Sequence, residues 1–436
     1  MNHQSLWTDT VSLPSFEPLK GAISTEVLII GGGLCGILCA YVLHQEGIPY
    51  LLAEGNRIAG GVTQNTTAKI TSQHGIMYHN LAKKNGYEQA KQYLSAQQEA
   101  IQAYQKLCQN IDCDYEEKTA YTYSLTDRSK LEDEVLTLNN LGFPAKLVQP
   151  STLPFQTVGA VAFDRQAQFH PLKFIAAIAK DLHIYEDTFV QEIRGNQAMT
   201  NHGTITANQI IVATHFPFLN KQGSYFIKLY QHRSYVLALE KGPDLDGMYL
   251  DEAQNGLSFR NYQNYLLLGG GGHKTGKQGG GWIELRTFAQ QFFPGLQERY
   301  TWATQDCMPL DKIPYIGQYS KKTPRLFTAT GFHKWGMTSS MTAALLLRDL
   351  ILGRKNPYQE LFSPQRSMKK FQLMVNGVNA AVNLLTPTTP RCPHLGCALK
   401  WNKAEHSWDC PCHGSRFSKD GKLLDNPATG GISPEK

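Results

Sequence analysis

The sequence predicts an α/β protein (α+β overall), with a parallel-sheet nucleotide-binding domain, an interleaved mixed-sheet domain and a small all-β module at the C-terminal end. Three stretches predict it. Residues 26–54, EVLIIGGGLCGILCAYVLHQEGIPYLLAE, read as strand, tight turn, helix and second strand. Residues 326–353, LFTATGFHKWGMTSSMTAALLLRDLILG, repeat the order of strand, glycine turn and helix far downstream. Near the end, CPHLGC and CPCHGSRF place four of the nine cysteines between Cys392 and Cys412.

Length and charge bound the rest. At about 150 residues per domain, 436 residues allow two or three domains. The formal charge of +6 comes from 42 basic and 36 acidic residues spread along the chain, with no basic run, so nucleic acid is not an expected partner. The N-terminal stretch lacks a basic segment followed by an apolar core, and no run approaches about 18 uncharged apolar residues. No integral membrane segment is expected, and a cytoplasmic location is. Cys35, Cys39, Cys108, Cys113 and Cys307 are scattered in apolar or helical surroundings and read as small core residues.

In the first stretch Gly31, Gly33 and Gly36 form GxGxxG between strand and helix, the turn of a Rossmann-like fold. Glycines there let the backbone approach a pyrophosphate, and the free N–H groups at the helix start bind its charge. The second strand delivers Glu54 to the hydroxyls of an unphosphorylated ribose. A bound dinucleotide follows, either NAD or FAD. Further on, Leu81 to Asn110 reads as one long amphipathic helix, Tyr121 to Leu125 as a strand, and Thr126 as the cap of a helix ending near Gly142. Residues 158–182 give a strand and a helix with Pro171 in its first turn, where proline is tolerated. Short strands follow around Thr188 to Ile193 and Gln209 to Ala213, then Tyr230 to Glu240 and Tyr265 to Leu268. The near-match to a phosphate loop at Gly271 to Gln278 fails, because Gln278 replaces the hydroxyl that would hold magnesium.

The loop after Glu54, GNRIAGGVTQNTTAKITSQHG, is too rich in glycine and small polar residues to be core. It resembles the loop by which the D-amino-acid-oxidase-like family of FAD enzymes lays its chain along the cofactor. The resemblance implies that Gly60, Gly61, Thr66 and Thr67 face the cofactor, that Val190 sets backbone against the adenine, and that Ala213 and Thr214 lie near the pyrophosphate. It also implies that the helix opening at Gly331, Gly336, Met337 and Thr338 aims its positive end at the flavin pyrimidine, which favours FAD over NAD.

At the C-terminal end Cys392 and His394 form one ligand pair, and Cys410 and His413 another. Thiolates suit one iron of a [2Fe–2S] cluster, and two neutral imidazoles on the other raise its potential. Structural zinc is the competing reading, but mixed Cys/His pairs and the tight CxH spacing argue against it. The motif resembles a Rieske [2Fe–2S] domain. That resemblance implies a disulfide between Cys397 and Cys412, a Ser415 hydroxyl bonded to a bridging sulfide, and a loop at DNPATGG that covers the cluster. Phe417 stands where high-potential members carry tyrosine, so one hydrogen bond to the cluster is missing and a lower potential is expected.

The domain plan is then residues 20–78, 155–220 and 320–355 for FAD, 79–154 and 221–319 for substrate, 356–389 for a helical connector with its linker, and 390–436 for the Rieske module. As a whole the chain resembles Rieske-fused FAD-dependent oxidoreductases of the glycine/D-amino-acid oxidase-like family. The resemblance implies oxidation of an amine or amino acid, with electrons passing from flavin to cluster and on to an unidentified carrier. A cluster-fed reductase or monooxygenase, or a redox sensor, are the competing readings. Lys69, His333, Lys334 and Trp335 are candidates for the flavin face, and Tyr235 and Arg260 for the substrate side, where arginine would clamp a carboxylate.

Overall fold

The computed structural model describes residues 4–219, 222–367 and 390–433. The apolar run before the glycine turn forms the central strand Gly21–Ile30, fully buried at its end as a parallel strand covered on both faces should be. Gly203–Val212 and Tyr50–Ala53 flank it in parallel, with Leu326–Thr330 and Ile184–Tyr185 outside them and Tyr315–Gln318 antiparallel at the edge. The hairpin Val190–Arg194 and Gln197–Thr200 completes the eight strands. Helices Leu34–Gln45 and Gly336–Ile351 pack against each other on this sheet, which brings both glycine turns to its carboxyl edge.

A second sheet of nine strands runs in the order Gln297–Pro309, Leu229–Glu240, Tyr265–Lys274, Ser258–Tyr262, Met248–Asp251, Glu116–Ser124, Gly159–Gln168 and Lys69–Ile70, with Lys146–Val148 beside the seventh. Lys69–Ile70 belongs to the loop that follows Glu54. That loop therefore leaves the first sheet and ends by pairing in the second, so the space between the sheets lies along it.

Several expectations change. The strand Gly159–Gln168, expected in the nucleotide domain, pairs in the second sheet, and the chain rejoins the first only at Ile184–Tyr185. The single helix over 81–110 is two, Tyr78–Asn85 and Tyr87–Cys108, because Gly86 takes φ of 95°, a conformation glycine adopts without strain. Asp127, not Thr126, caps Arg128–Asn140, its carboxylate accepting from the Lys130 N–H. Residues 364–367 are not helical, and the rest of the expected connector helix, Pro364 to Leu384, lies outside the described residues. Among those described, no helix is long and apolar enough to cross a membrane.

A third, four-stranded antiparallel sheet, Lys400–Asn402, Ser407–Asp409, Arg416–Ser418 and Leu423–Asp425, carries the C-terminal cysteine loops. It docks on the second sheet through buried charge. Arg233 forks onto the Glu405 carboxylate, with Nε to Oε1 at 2.9 Å, and Arg416 reaches the same carboxylate at 2.7 Å. Arg416 also pairs with Asp409 and Asp425. Burial works to raise the Glu405 carboxyl, but Arg233 and Arg416 overcome it and hold it at about 2.

Glu405→Ala would leave two buried guanidinium groups short of a partner and is expected to cost about 3–5 kcal/mol, read as a lower denaturation midpoint. The Glu405 contribution is complete above the ordinary carboxylate pKa of about 4.3 and is lost as pH falls toward 2, so thermal melts should show the module loosening on acidification below about pH 4.

Candidate active site and cluster centre

A cavity of about 540 Å³ opens between the two large sheets, within the range of cofactor and ligand sites. Gly31, Gly33, Glu54, Gly60, Gly61, Thr66, Thr67, Lys69, Val190, Ala213 and Thr214 line it, as do Tyr235, His333, Lys334, Trp335, Gly336 and Met337. The sequence thus singled out residues from six separate stretches that the fold brings to one place. Gly36, Arg260, Gly331 and Thr338 do not line it.

Each of those four acts at one remove. A Cβ on Gly36 would sit 1.8 Å from the Gly31 carbonyl oxygen, so Gly36 sets the close packing of helix on turn. Gly331 turns the chain at φ of 73°. The Thr338 hydroxyl donates to the Thr71 carbonyl at 3.1 Å. Arg260 is the larger departure: it is 1% exposed, and its Nη1 donates to the carbonyls of Thr67 and Ala68, both at 2.8 Å. Trp7 Nε1 holds the Thr66 carbonyl at 2.7 Å and Trp302 Nε1 the Asn65 carbonyl at 3.0 Å. Four successive carbonyls are therefore fixed from behind the loop. Through Nη1 Arg260 serves the loop; its Nη2 is buried without a hydrogen-bond partner, and the side chain does not line the cavity in which it was expected to clamp a carboxylate.

On the first-sheet side, Glu54 is half-buried and accepts from the N–H groups of Gly32 and Asn56, at 2.6 and 2.9 Å. Burial raises its carboxyl pKa, with the two backbone donors opposing. The Thr63 hydroxyl caps the Leu34 N–H at 3.0 Å, tying the loop to the helix start.

Toward the other end, burial and then the Arg260 charge pull the Lys69 ammonium down to about 7, and its Nζ donates to the Tyr249 carbonyl at 2.9 Å. Burial lowers His333 to about 3, so the ring is neutral, and its Nδ1 is buried without a hydrogen-bond partner. His333 and Lys334 take φ of 50° and 71°, two successive left-handed residues that are uncommon outside glycine and mark a constrained turn. Trp335 stacks on His74, ring centroids 4.6 Å apart and 8° from parallel. His74 was not foreseen, since nothing local to it marks a partner 261 residues away. Tyr235 lines the cavity but spends its hydroxyl on His273 Nε2 and Glu405 Oε1, at 2.9 and 3.1 Å.

The C-terminal module completes the cavity wall. Leu423, Leu424, Asp425, Asn426, Ala428 and Thr429 line it, and Asn426 Nδ2 donates to the carbonyls of Thr214 and Phe216. Behind this wall the two cysteine loops converge. The rings of His394 and His413 are 4.9 Å apart, and the Cys410 thiol donates to Cys392, which holds the Cys392 thiol at about 7. Burial keeps His394 at about 4 and His413 at about 3, the neutral imidazole that ligation needs. His413 Nδ1 is buried without a hydrogen-bond partner. Cys397 and Cys412 form the disulfide that the resemblance implied, which leaves Cys392 and Cys410 as the thiolate donors. The Ser415 hydroxyl accepts from the Ala428 N–H at 3.0 Å and bonds Cys392. Two thiols and two neutral imidazoles facing one another fit a Rieske cluster. The long glycine-lined cleft with a helix start at each side fits FAD.

The comparisons agree with both fits. Residues 26–350 match the protein family described as FAD dependent oxidoreductase, and residues 378–434 match the Rieske [2Fe-2S] domain. A relative named as a Rieske 2Fe-2S iron-sulfur protein, YhfW of Bacillus subtilis, is 33% identical over 98% of this chain and 96% of its own. Among solved structures, glycine oxidase from Geobacillus kaustophilus has a TM-score of 0.67 at 18% identity, over 79% of this chain and all of that one. L-proline dehydrogenase from P. horikoshii has a TM-score of 0.66 at 17% identity, over 80% and 98%. At those identities the likeness is one of fold.

Gly36→Ala should give protein without flavin absorbance, or none that folds, because helix and turn cannot keep their spacing. Arg260→Lys should weaken FAD retention about 10- to 100-fold, read by dialysis and refilling, since an ammonium cannot hold both carbonyls. Once FAD saturates, KM for substrate should stay unchanged, whereas a carboxylate clamp would raise it.

Proposed function

Because the chain belongs to the FAD dependent oxidoreductase family and carries a Rieske [2Fe-2S] domain, we propose that it oxidises an amine or amino acid at the C–N bond and hands the electrons outward through its own cluster. The observation that carries this reading is the shared wall: Leu423 to Asn426, Ala428 and Thr429 of the Rieske module line the same cavity as Lys69, His333 and Trp335. Bound FAD supplies a two-electron acceptor and the cluster a one-electron acceptor.

The residues at the cavity suit the first half of that task. A substrate amine reacts as the free base, so its ammonium must lose a proton. Lys69, desolvated and near neutral at physiological pH, receives that proton at Nζ. His333, neutral and with Nδ1 unengaged, offers a hydrogen bond without adding positive charge beside the leaving hydride. Trp335, braced by His74, provides an aromatic surface that excludes water from the reacting carbon. Arginine side chains contribute little to recognition here: Arg260 is committed to the loop, and Arg57 to Ser15, Pro14 and Glu186. That arrangement suits amines whose carboxylate, if present, is not the main anchor.

The test is anaerobic. A panel of amino acids and N-methyl amines is added to protein with both cofactors loaded, with visible absorption and low-temperature EPR recorded together. Flavin bleaching accompanied by a reduced Rieske signal is expected; a panel that leaves both centres oxidised while dithionite reduces them would count against amine oxidation.

With Lys69 near 7, the bleaching rate should rise with pH through about 7 as the lysine loses its proton, then level off. Lys69→Met should abolish that rise and slow bleaching by about 100-fold or more at neutral pH.

A further inference from the structure

Among the described residues, Glu54, Asp306 and Asp425 are the carboxylates that line the cavity. Glu54 accepts from the Gly32 and Asn56 N–H groups, and Asp425 pairs with Arg416 at 3.0 Å. Asp306 has neither kind of partner. Its Oδ2 accepts from the Ser234 hydroxyl at 3.3 Å, and no described basic side chain forms an ion pair with it.

Strand alternation puts Asp306 where it is. Along Leu229–Glu240, Gln231, Arg233 and Tyr235 turn toward the Rieske module, where Gln231 packs against Gly414 and the other two hold Glu405. The residues between them turn the other way. His232 lies opposite Asp306 and Ser234 opposite Thr304 on Gln297–Pro309, while Gln305 between those two reaches the Gly414 carbonyl at 2.8 Å. Ser234, Thr304 and Asp306 therefore form a polar patch that lines the cavity, and the Thr304 hydroxyl is buried without a hydrogen-bond partner.

The charges around this patch do not neutralise it. Arg233 is committed to Glu405, and burial lowers His215 and holds His232 at about 3, so neither ring adds a charge at neutral pH. Lys334 lines the same cavity and is exposed, without an ion pair among the described residues. Burial raises the Asp306 carboxyl, with Lys334 and then His215 opposing. A carboxylate so desolvated, with a single hydroxyl donor, is complete only when a cation meets it.

We infer that Asp306, with Ser234 and Thr304 beside it, binds a positively charged group of the substrate, so that the substrates are amines carrying a second cation, such as diamines. The inference rests on the amine oxidation proposed above and names its substrate class. Asp306 has the wrong charge for the pyrophosphate of FAD and for a substrate carboxylate. It is equally unsuited to the nitrogen that reacts, because that nitrogen must shed a proton and a neighbouring carboxylate favours the charged form. Position agrees: Lys69, which receives the proton, bonds the Tyr249 carbonyl on Met248–Asp251, four places along the sheet from Gln297–Pro309. The reacting nitrogen and the anchored cation are two groups of one molecule.

The test measures binding without turnover. The full chain with both cofactors is photoreduced anaerobically, so that it cannot oxidise an amine, and equilibrium dialysis gives its affinity for α,ω-diaminoalkanes, the matching alkylamines and the matching ω-aminoalkanoates, from butane to octane in length. The three series share the reacting end and carry at the other a cation, a methyl group or a carboxylate. At the best-fitting length the diamine should bind about 10-fold or more tighter than the alkylamine, and the aminoalkanoate most weakly. In Asp306→Asn the diamine should lose that margin while the alkylamine does not change, with flavin and Rieske spectra intact. Equal affinity for diamine and alkylamine at every length, tightest binding of an aminoalkanoate, or a margin that survives in Asp306→Asn would overturn the inference. The ranking in the native chain decides even if the variant does not fold. Anaerobic bleaching of the oxidised protein by the same compounds separates the two proposals. Bleaching with no preference for diamines keeps amine oxidation and removes the cation site, whereas a diamine preference without bleaching by any amine keeps the cation site and removes amine oxidation.

Discussion

The buried ion network of Arg233, Glu405 and Arg416 is the constraint on which the rest of this structure depends. A module of about 45 residues has too little core to be stable by hydrophobic burial alone. Here its stability and its position have one source, because Glu405 carries charge from the module's own arginine to an arginine of the second sheet. Tyr235 joins the same carboxylate from the cavity side, so the wall of the active site and the docking of the cluster share an atom, Glu405 Oε1. Buried charges are costly unless every partner is present. A module displaced even slightly would leave Arg233 and Tyr235 of the second sheet without their shared acceptor, and one docked geometry is thereby favoured over its neighbours.

The cofactor loop is held by a comparable logic with different chemistry. Its carbonyls from Asn65 to Ala68 are engaged by Trp302, Trp7 and Arg260, which come from the edge strand Gln297–Pro309 of the second sheet, the short N-terminal helix Leu6–Thr10 and the middle of the second sheet. Arg260 lies over the Trp7 ring at 5.5 Å, so the two supports also brace each other. A glycine-rich loop otherwise has little stiffness of its own. Fixing its back leaves its front surface set for the cofactor before the cofactor arrives, the form of preorganisation that keeps a site from losing affinity to loop ordering.

How much of this the sequence disclosed depended on range. GxGxxG followed by Glu54, and the paired Cys-x-His and Cys-x-x-His, are legible because the chemistry sits within a few residues and the spacing itself encodes the geometry. The helix break at Gly86 was visible as a glycine but not as a break, since a lone glycine inside a periodic helix is often tolerated. Arg260 shows the opposite limit. Arginine in a strand near a cofactor cleft suits a carboxylate as well as it suits a pair of carbonyls, and only the approach of Thr67 and Ala68, 193 and 192 residues away, decides between them. The same holds for Gly276 within the stretch Gly271 to Gln278, which makes sense only when Pro411 is placed against it.

The central claim is that flavin site and cluster form one electron-transfer unit within a single chain. Photoreduction of the flavin in a short anaerobic flash, with the cluster followed by its visible absorption over a range of protein concentrations, tests it most directly. The account predicts transfer to the cluster at a rate independent of protein concentration, and slowed in Glu405→Gln. A rate that rises in proportion to concentration, or a cluster that stays oxidised while the flavin remains reduced, would contradict it.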